Sequence, residues 1–290
     1  MIHTLKVKKW KGPFSTQEQE DAVAALERGD VLYFPSLPFG LESEETTLLS
    51  PKYSDPKSKN IGYDPKSRKV TGVQGDGEVA SSFESMLDRY ATNTKILLGA
   101  ILPHYQKHLE RGRTSYRPVE IAGRQSSYRK DNTRLHVDAF PSSPVQGKRI
   151  LRVFTNINPH GQSRFWRLGE PFPKVAERFL PHCPRPLSGS QWLLERLRIT
   201  KTQRTPYDHY MLQLHNRMKA DETYQKTAEQ QEFSFPPQST WVVYTDVTSH
   251  AAMKGQYVLE QTYYLPVDGM SSPELAPLKI LEKALGQPLL

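Results

Sequence analysis

The chain has 290 residues, of which 37% are apolar and 24% charged, and its net charge is +8. That length and balance suit one large soluble domain or two small ones with a sizeable core. The single cysteine, Cys183, excludes a disulfide framework within the chain and favours a reducing compartment, while the positive charge favours an anionic partner of some kind.

Residues Met1 to Trp10 lack the apolar run of a signal peptide. Ser15 to Arg28 carries a Ser or Thr cap, acids in its first turn and Gly29-Asp30 at its end, which predicts a helix. Val31 to Phe34 reads as a strand stopped by Pro35. Ser50 to Glu78 is polar and rich in Lys, Pro, Gly and Asp, and repeats Asp-Pro-Lys-Ser at Asp55 and Asp64; it is expected to be a long loop. Ser81 to Glu110 has apolar residues at roughly helical spacing. Its longest apolar run, Ile96 to Leu102, is too short to span a bilayer and ends at Pro103, so a cytoplasmic protein is expected. His104 and His108 lie four apart near its end, without a metalloprotease glutamate between them, and read as an ordinary helix terminus.

Tyr116 to Ile121, Arg149 to Asn158 and Arg164 to Glu170 read as strands. From Pro171 to Thr227 the pattern turns helical, with candidates at Phe172 to Leu180, Ser190 to Leu197 and Tyr207 to Thr227. After Pro236-Pro237 the chain returns to β structure. Thr240 to Asp246 is a strand, Val247 to His250 a turn carrying a histidine, and Gln256 to Leu265 the return strand. Leu275 to Leu285 is a short amphipathic helix expected to pack on the core. The fold class is α+β: a double-stranded β-helix (jelly-roll, cupin-like) with N-terminal helices. We read residues 1–290 as one domain, with a core at about 115–268 and a helical insertion at about 171–230.

The chemistry centres on Arg134-Leu135-His136-Val137-Asp138. Extended backbone places His136 and Asp138 on one face and Leu135 and Val137 on the other. An imidazole and a carboxylate so spaced can take adjacent positions on one metal ion. With His250 as third ligand they form the two-His-one-carboxylate triad of non-haem Fe(II) oxygenases, which leaves three positions open. A 2-oxoacid takes two of these and O2 the third; oxidative decarboxylation yields succinate, CO2 and hydroxylation of an unactivated C–H bond. Both histidines must be neutral to ligate.

The far carboxylate of 2-oxoglutarate needs a fixed cation, and arginine binds carboxylate bidentately. The region about ten residues after His250 is Glu260-Gln261, with no cation, so another strand must supply it. Arg152, mid-strand between apolar neighbours, is the first candidate; Ile150, Phe154 and Asn156 share its face, and Asn156 is placed to hydrogen-bond a cofactor oxygen. Arg117 is a second cation, and Trp166 and Tyr128 are candidate pocket walls.

Gly29 to Pro35, Arg134-Leu-His-Val-Asp-Ala-Phe140, Leu151 to Pro159 and Arg164-Phe-Trp-Arg-Leu-Gly-Glu170 together resemble the Kdo hydroxylases, over about Ala25 to Pro266. The resemblance implies an Fe(II)- and 2-oxoglutarate-dependent dioxygenase that hydroxylates C3 of 3-deoxy-D-manno-oct-2-ulosonic acid (Kdo) on lipid A to give the Ko sugar of the lipopolysaccharide inner core. It implies metal ligands His136, Asp138 and His250, and a substrate met at the cytoplasmic face of the inner membrane. The net charge of +8 suits a peripheral enzyme there. Two alternatives stay open: an oxygenase of this type acting on another anionic substrate, and a non-enzymatic basic β-barrel binding a glycan or nucleic acid. Without a zinc finger, RNP motif or long Lys/Arg block, nucleic acid is not expected.

Overall fold

The computed structural model describes residues 1–58, 60–123, 126–187 and 196–290, and among them eleven strands form two sheets. The strands are β1 (Ile2–Thr4), β2 (Val31–Phe34), β3 (Ile61–Asp64), β4 (Lys69–Thr71), β5 (Glu110–Arg117), β6 (Arg149–Asn156), β7 (Arg164–Pro171), β8 (Gln231–Phe235), β9 (Thr240–Tyr244), β10 (Thr248–Lys254) and β11 (Val258–Leu265). The larger sheet runs β1-β2-β9-β6-β11-β5-β3-β4 and is antiparallel except for β1 with β2. The smaller runs β10-β7-β8, and an isolated bridge between His136 and His250 adds the segment around His136 to its edge.

The sheets face one another across an aromatic core. Trp241 stacks on Phe235 at 4.1 Å and on Phe154 at 5.2 Å, and Trp166 meets all three edge-on. This is the sandwich of a double-stranded β-helix, so the α+β expectation describes the fold. Helix α2 (Gly77–Ile101), capped by the Asp76 carboxylate, covers the outer face of the large sheet. Its Phe83, Met86, Leu87 and Tyr90 pack with Ile61, Tyr116 and Leu259, and the Tyr90 hydroxyl donates to the Val153 carbonyl at 3.1 Å. Covered on both faces, β6 is buried at every residue.

Helix α1 (Thr16–Glu27) starts at a Ser15–Glu18 capping box. Its last residue, Glu27, is buried, and its carboxylate accepts from Tyr105 Oη at 2.6 Å and from the amides of Ser271 and Ser272. This ties the first helix to the chain's end. Arg149 and Asp246 form a second buried tie: Nε to Oδ2 is 2.7 Å, with the guanidinium 4.0 Å from the Tyr244 ring centre. Between β7 and β8 lie α3 (Phe172–Phe179), α4 (Pro206–Ala220) and α5 (Glu222–Thr227). Helix α6 (Pro277–Leu285) buries Leu278 and Leu281 in the main core, the packing role expected of it.

The structure corrects several expectations. The strand placed at Tyr116 to Ile121 is β5, Glu110–Arg117, and leaves the sheet where Pro118 lacks a donor. The loop from Ser50 to Glu78 contains the β3–β4 hairpin. Both Asp-Pro-Lys-Ser copies are turns in which the aspartate side chain accepts from a backbone amide two residues on, Lys57 and Lys66 respectively, each at 2.9 Å. One helix over Tyr207 to Thr227 is two, because Asp221 leaves the helical conformation and caps α5 through Tyr224 N at 2.9 Å. His250 lies in a strand, β10, and not in the turn before it. Strands β1 and β8 were unread. The helix expected at Ser190 to Leu197 falls mostly on residues 188–195, outside the described residues.

Candidate metal centre

The backbone fixes the ligands first. His136 N donates to His250 O at 3.0 Å and His250 N to His136 O at 2.9 Å, while Asp138 N donates to Thr245 O at 2.7 Å. Gln225 of α5 brackets Leu135, accepting from its amide at 2.7 Å and donating to its carbonyl at 3.0 Å. Leu135 and Val137 point into the core, so His136 and Asp138 turn to the other face, as their spacing predicts. Ligand atoms of His136, Asp138 and His250 all lie within 4.8 Å of one another, and among the described residues these three form the only such cluster of His, Cys, Asp and Glu. The rings of His104 and His108, 6.4 Å apart, belong to no such cluster.

The imidazoles are oriented by their far nitrogens. Nδ1 of His136 is 2.7 Å from Arg134 O, and Nδ1 of His250 is 2.8 Å from Thr248 O. A carbonyl can only accept, so each Nδ1 carries the proton and each Nε2 offers its lone pair to the site. Trp166 stacks on His250 at 5.1 Å, and His215 of α4 sets its ring at 89° to that of His136, at 5.4 Å. Burial holds the pKa of His136 well below the usual imidazole value, with His250 and Lys219 adding to the effect. Burial likewise lowers His250, and lowers His215 to about 4. Burial therefore favours the neutral, ligating form of the imidazoles. Burial alone raises the pKa of Asp138, but Arg152, His250 and His136 outweigh it and keep the carboxylate ionised.

Two neutral imidazoles and one carboxylate suit a divalent first-row metal such as Fe(II), and the spacing lets all three reach one ion. Beside them lies a buried charge network. Arg152 Nη2 is 3.2 Å from Asp138 Oδ2 and its Nη1 is 3.2 Å from Glu260 Oε1. Arg117 also binds Glu260, through Nε at 2.8 Å. Arg164 Nη1 donates to Gly255 O at 2.7 Å; burial and Arg117 lower its pKa to about 9, so it remains charged at neutral pH. Arg152 Nε, Arg164 Nε and Trp166 Nε1 are buried without hydrogen-bond partners. Buried donors left unmade are costly, and these fit an anionic cofactor rich in acceptors.

The structure thus brings together His136, Asp138, His250, Arg152, Arg117 and Trp166. Asn156 is a correction: its amide donates to Gln162 O and Phe235 O and accepts from Asn158 N, so it closes a turn and has no donor left for a cofactor. Tyr128 is exposed beside Arg129 and, among the described residues, does not line the clefts at Arg117 and Arg152. Sequence reasoning missed Arg164, His215 and Glu260. Arg164 alternates with Trp166 and Leu168 along the buried face of β7, a signal of the kind that singled out Arg152. His215 follows Met211 and Leu214 on a buried helical face and carried no separate mark.

A family model described as 3-deoxy-D-manno-oct-2-ulosonic acid (Kdo) hydroxylase matches residues 9–288. Among solved structures, the chain is 47% identical to the Kdo hydroxylase KdoO, a non-haem Fe(II) α-ketoglutarate-dependent dioxygenase, in complex with α-ketoglutarate and Fe(III). The match covers 100% of this chain and 97% of that one, with a TM-score of 0.96. The cobalt(II) complex of KdoO is 48% identical over 99% of this chain and 97% of that one, with a TM-score of 0.97. The complex with succinate and Fe(III) is 48% identical over the same shares, with a TM-score of 0.95. A search of the curated proteins returned no match.

Proposed function

The chain belongs to the Kdo hydroxylase family, and from that premise we propose that it hydroxylates C3 of Kdo within Kdo–lipid A to give Ko. It is an Fe(II)- and 2-oxoglutarate-dependent dioxygenase. Its whole length acts as one catalytic domain. The observation that carries the reading is the triad of His136, Asp138 and His250 set against a buried cluster of arginines.

His136, Asp138 and His250 hold Fe(II). When bound, the iron with 2-oxoglutarate and O2 supplies an oxidant that replaces C–H by C–OH, releasing succinate and CO2. The protein's part is positioning. The Nδ1 hydrogen bonds to Arg134 O and Thr248 O hold the imidazoles in the ligating tautomer. Arg152 steadies Asp138 through the oxygen turned from His136 and offers a fork to the far carboxylate of 2-oxoglutarate. Arg117, Arg164 and Trp166 supply further donors, and Glu260 gathers Arg117 and Arg152. Trp166, stacked on His250, excludes water from that side.

We place the enzyme at the cytoplasmic face of the inner membrane, as a peripheral protein. A net charge of +8 and the anionic lipid substrate support this, and among the described residues no helix is long and apolar enough to cross a membrane. The assay is incubation with Kdo–lipid A, Fe(II) and 2-oxoglutarate under 18O-labelled O2. One labelled oxygen on Kdo and one succinate per product are expected. Succinate formed without Kdo oxidation, and oxidation of another anionic substrate instead, would replace the Kdo–lipid A assignment.

A further inference from the structure

The large sheet runs on past the small one. Strands β11, β5, β3 and β4 continue beyond β6, and their inner face floors an open cleft of about 930 Å³ that begins at Arg152 and Phe140. The volume lies at the upper end of the range for small-molecule sites. Four inter-strand steps of about 4.8 Å separate β6 from β4, roughly 19 Å in all. A single sugar ring presented to the metal centre falls short of the far end. Small residues, Gly62, Gly112, Ser115 and Thr262, lie along the floor, with the Tyr264 ring beside Gly112. A Cβ on Gly112 would stand 2.9 Å from the Tyr264 ring, so the strand itself admits nothing bulkier there.

The charge along this cleft is unbalanced. Two of its lining acids are paired, Glu260 with Arg117 and Arg152 and Glu110 with Lys148 at 2.7 Å; the third, Asp64, accepts from backbone amides of its own turn and keeps its charge, which still leaves the cations in excess. Three further cations, Lys66, Arg113 and Lys201, line it, and among the described residues none of them has an acidic partner. Arg113 is held against Thr71 and Gly62 on the floor. Lys201 is seated on the opposite wall by its amide, which donates to Ser142 O at 2.9 Å.

We propose that Lys66, Arg113 and Lys201 form a second anion-binding subsite, distal to the metal, for a carboxylate or phosphate carried by the substrate beyond the sugar that reacts. The inference rests on the Kdo–lipid A reading and deepens it: the enzyme recognises an anionic saccharide longer than one unit. Among the described residues no hydrogen bond or ion pair joins the three to the metal ligands or to Arg152, so they are expected to act on substrate affinity and to leave cofactor loading alone.

The test compares wild type with K66Q/K201Q and with the triple variant that adds R113Q, using Kdo–lipid A in neutral detergent micelles. The double variant alters only exposed side chains and keeps the test open if loss of Arg113 disturbs the hairpin. In the double variant the KM for Kdo–lipid A is expected to rise roughly tenfold, with less salt dependence than wild type. Anaerobic binding of Fe(II) and 2-oxoglutarate is expected to match wild type. An unchanged KM and salt dependence in the double variant would overturn the subsite. Wild type that binds Fe(II) and 2-oxoglutarate but leaves Kdo–lipid A unmodified would instead overturn the substrate reading, and the subsite with it.

Discussion

Replacing Arg152 with methionine is expected to raise the KM for 2-oxoglutarate by at least about 100-fold, since one charge-assisted hydrogen bond to a carboxylate is worth up to about 3 kcal/mol and the fork makes two. Methionine keeps the apolar stem in the strand and removes the fork. Arg152 is 9% exposed and lies 3.2 Å from both Asp138 and Glu260, so its loss also leaves two buried carboxylates facing one another. The metal ligands remain, and Co(II) binding is expected to survive. Arg152→Lys keeps the charge without the planar fork and is expected to recover part of the affinity. Steady-state kinetics in 2-oxoglutarate decide the matter. A normal KM accompanied by lower stability would make Arg152 a structural partner of Glu260 and move the cofactor's far carboxylate to Arg117 or Arg164.

Arg149→Ala is expected to destabilise the fold by about 3–5 kcal/mol, read from urea unfolding. Arg149 is fully buried, and its Nε donates to Asp246 at 2.7 Å. Burial raises the pKa of Asp246, and Arg149 is the largest of the influences that oppose that rise, ahead of backbone hydrogen bonds. Without the guanidinium, Asp246 must remain as an isolated buried charge or take up a proton. Arg149→Met combined with Asp246→Leu removes both charges and is expected to be milder than Arg149→Ala alone. Equal stability of Arg149→Ala and wild type would show that the pair contributes nothing net.

The metal triad was legible because its geometry is local. His-x-Asp on extended backbone fixes two ligands by the period of the strand, and only His250 had to be found at a distance. Even there the residue was right and the element wrong: His250 is in β10, bridged to His136. Arg152 stood out as a charge between apolar neighbours in β6. Asn156 shared its alternation but sits at the strand end, where the turn's backbone claims its amide. Glu260 was seen only as the absence of an arginine, because nothing in one sequence shows that two arginines from β5 and β6 converge on it. His215 enters the site through helix packing alone. The hairpin β3–β4 was hidden by polar, Pro- and Gly-rich composition. Its strands are three or four residues long and one face is open to the cleft, so they carry little apolar signal.

The central claim, that His136, Asp138 and His250 hold an iron that 2-oxoglutarate chelates, is tested most directly by anaerobic titration of the apo-protein with Fe(II) and then 2-oxoglutarate. The site predicts the weak visible charge-transfer band of a chelated 2-oxoacid, present in wild type and absent in His136→Ala. No band in wild type, with no 2-oxoglutarate binding by calorimetry, would contradict it, as would a band that persists in His136→Ala.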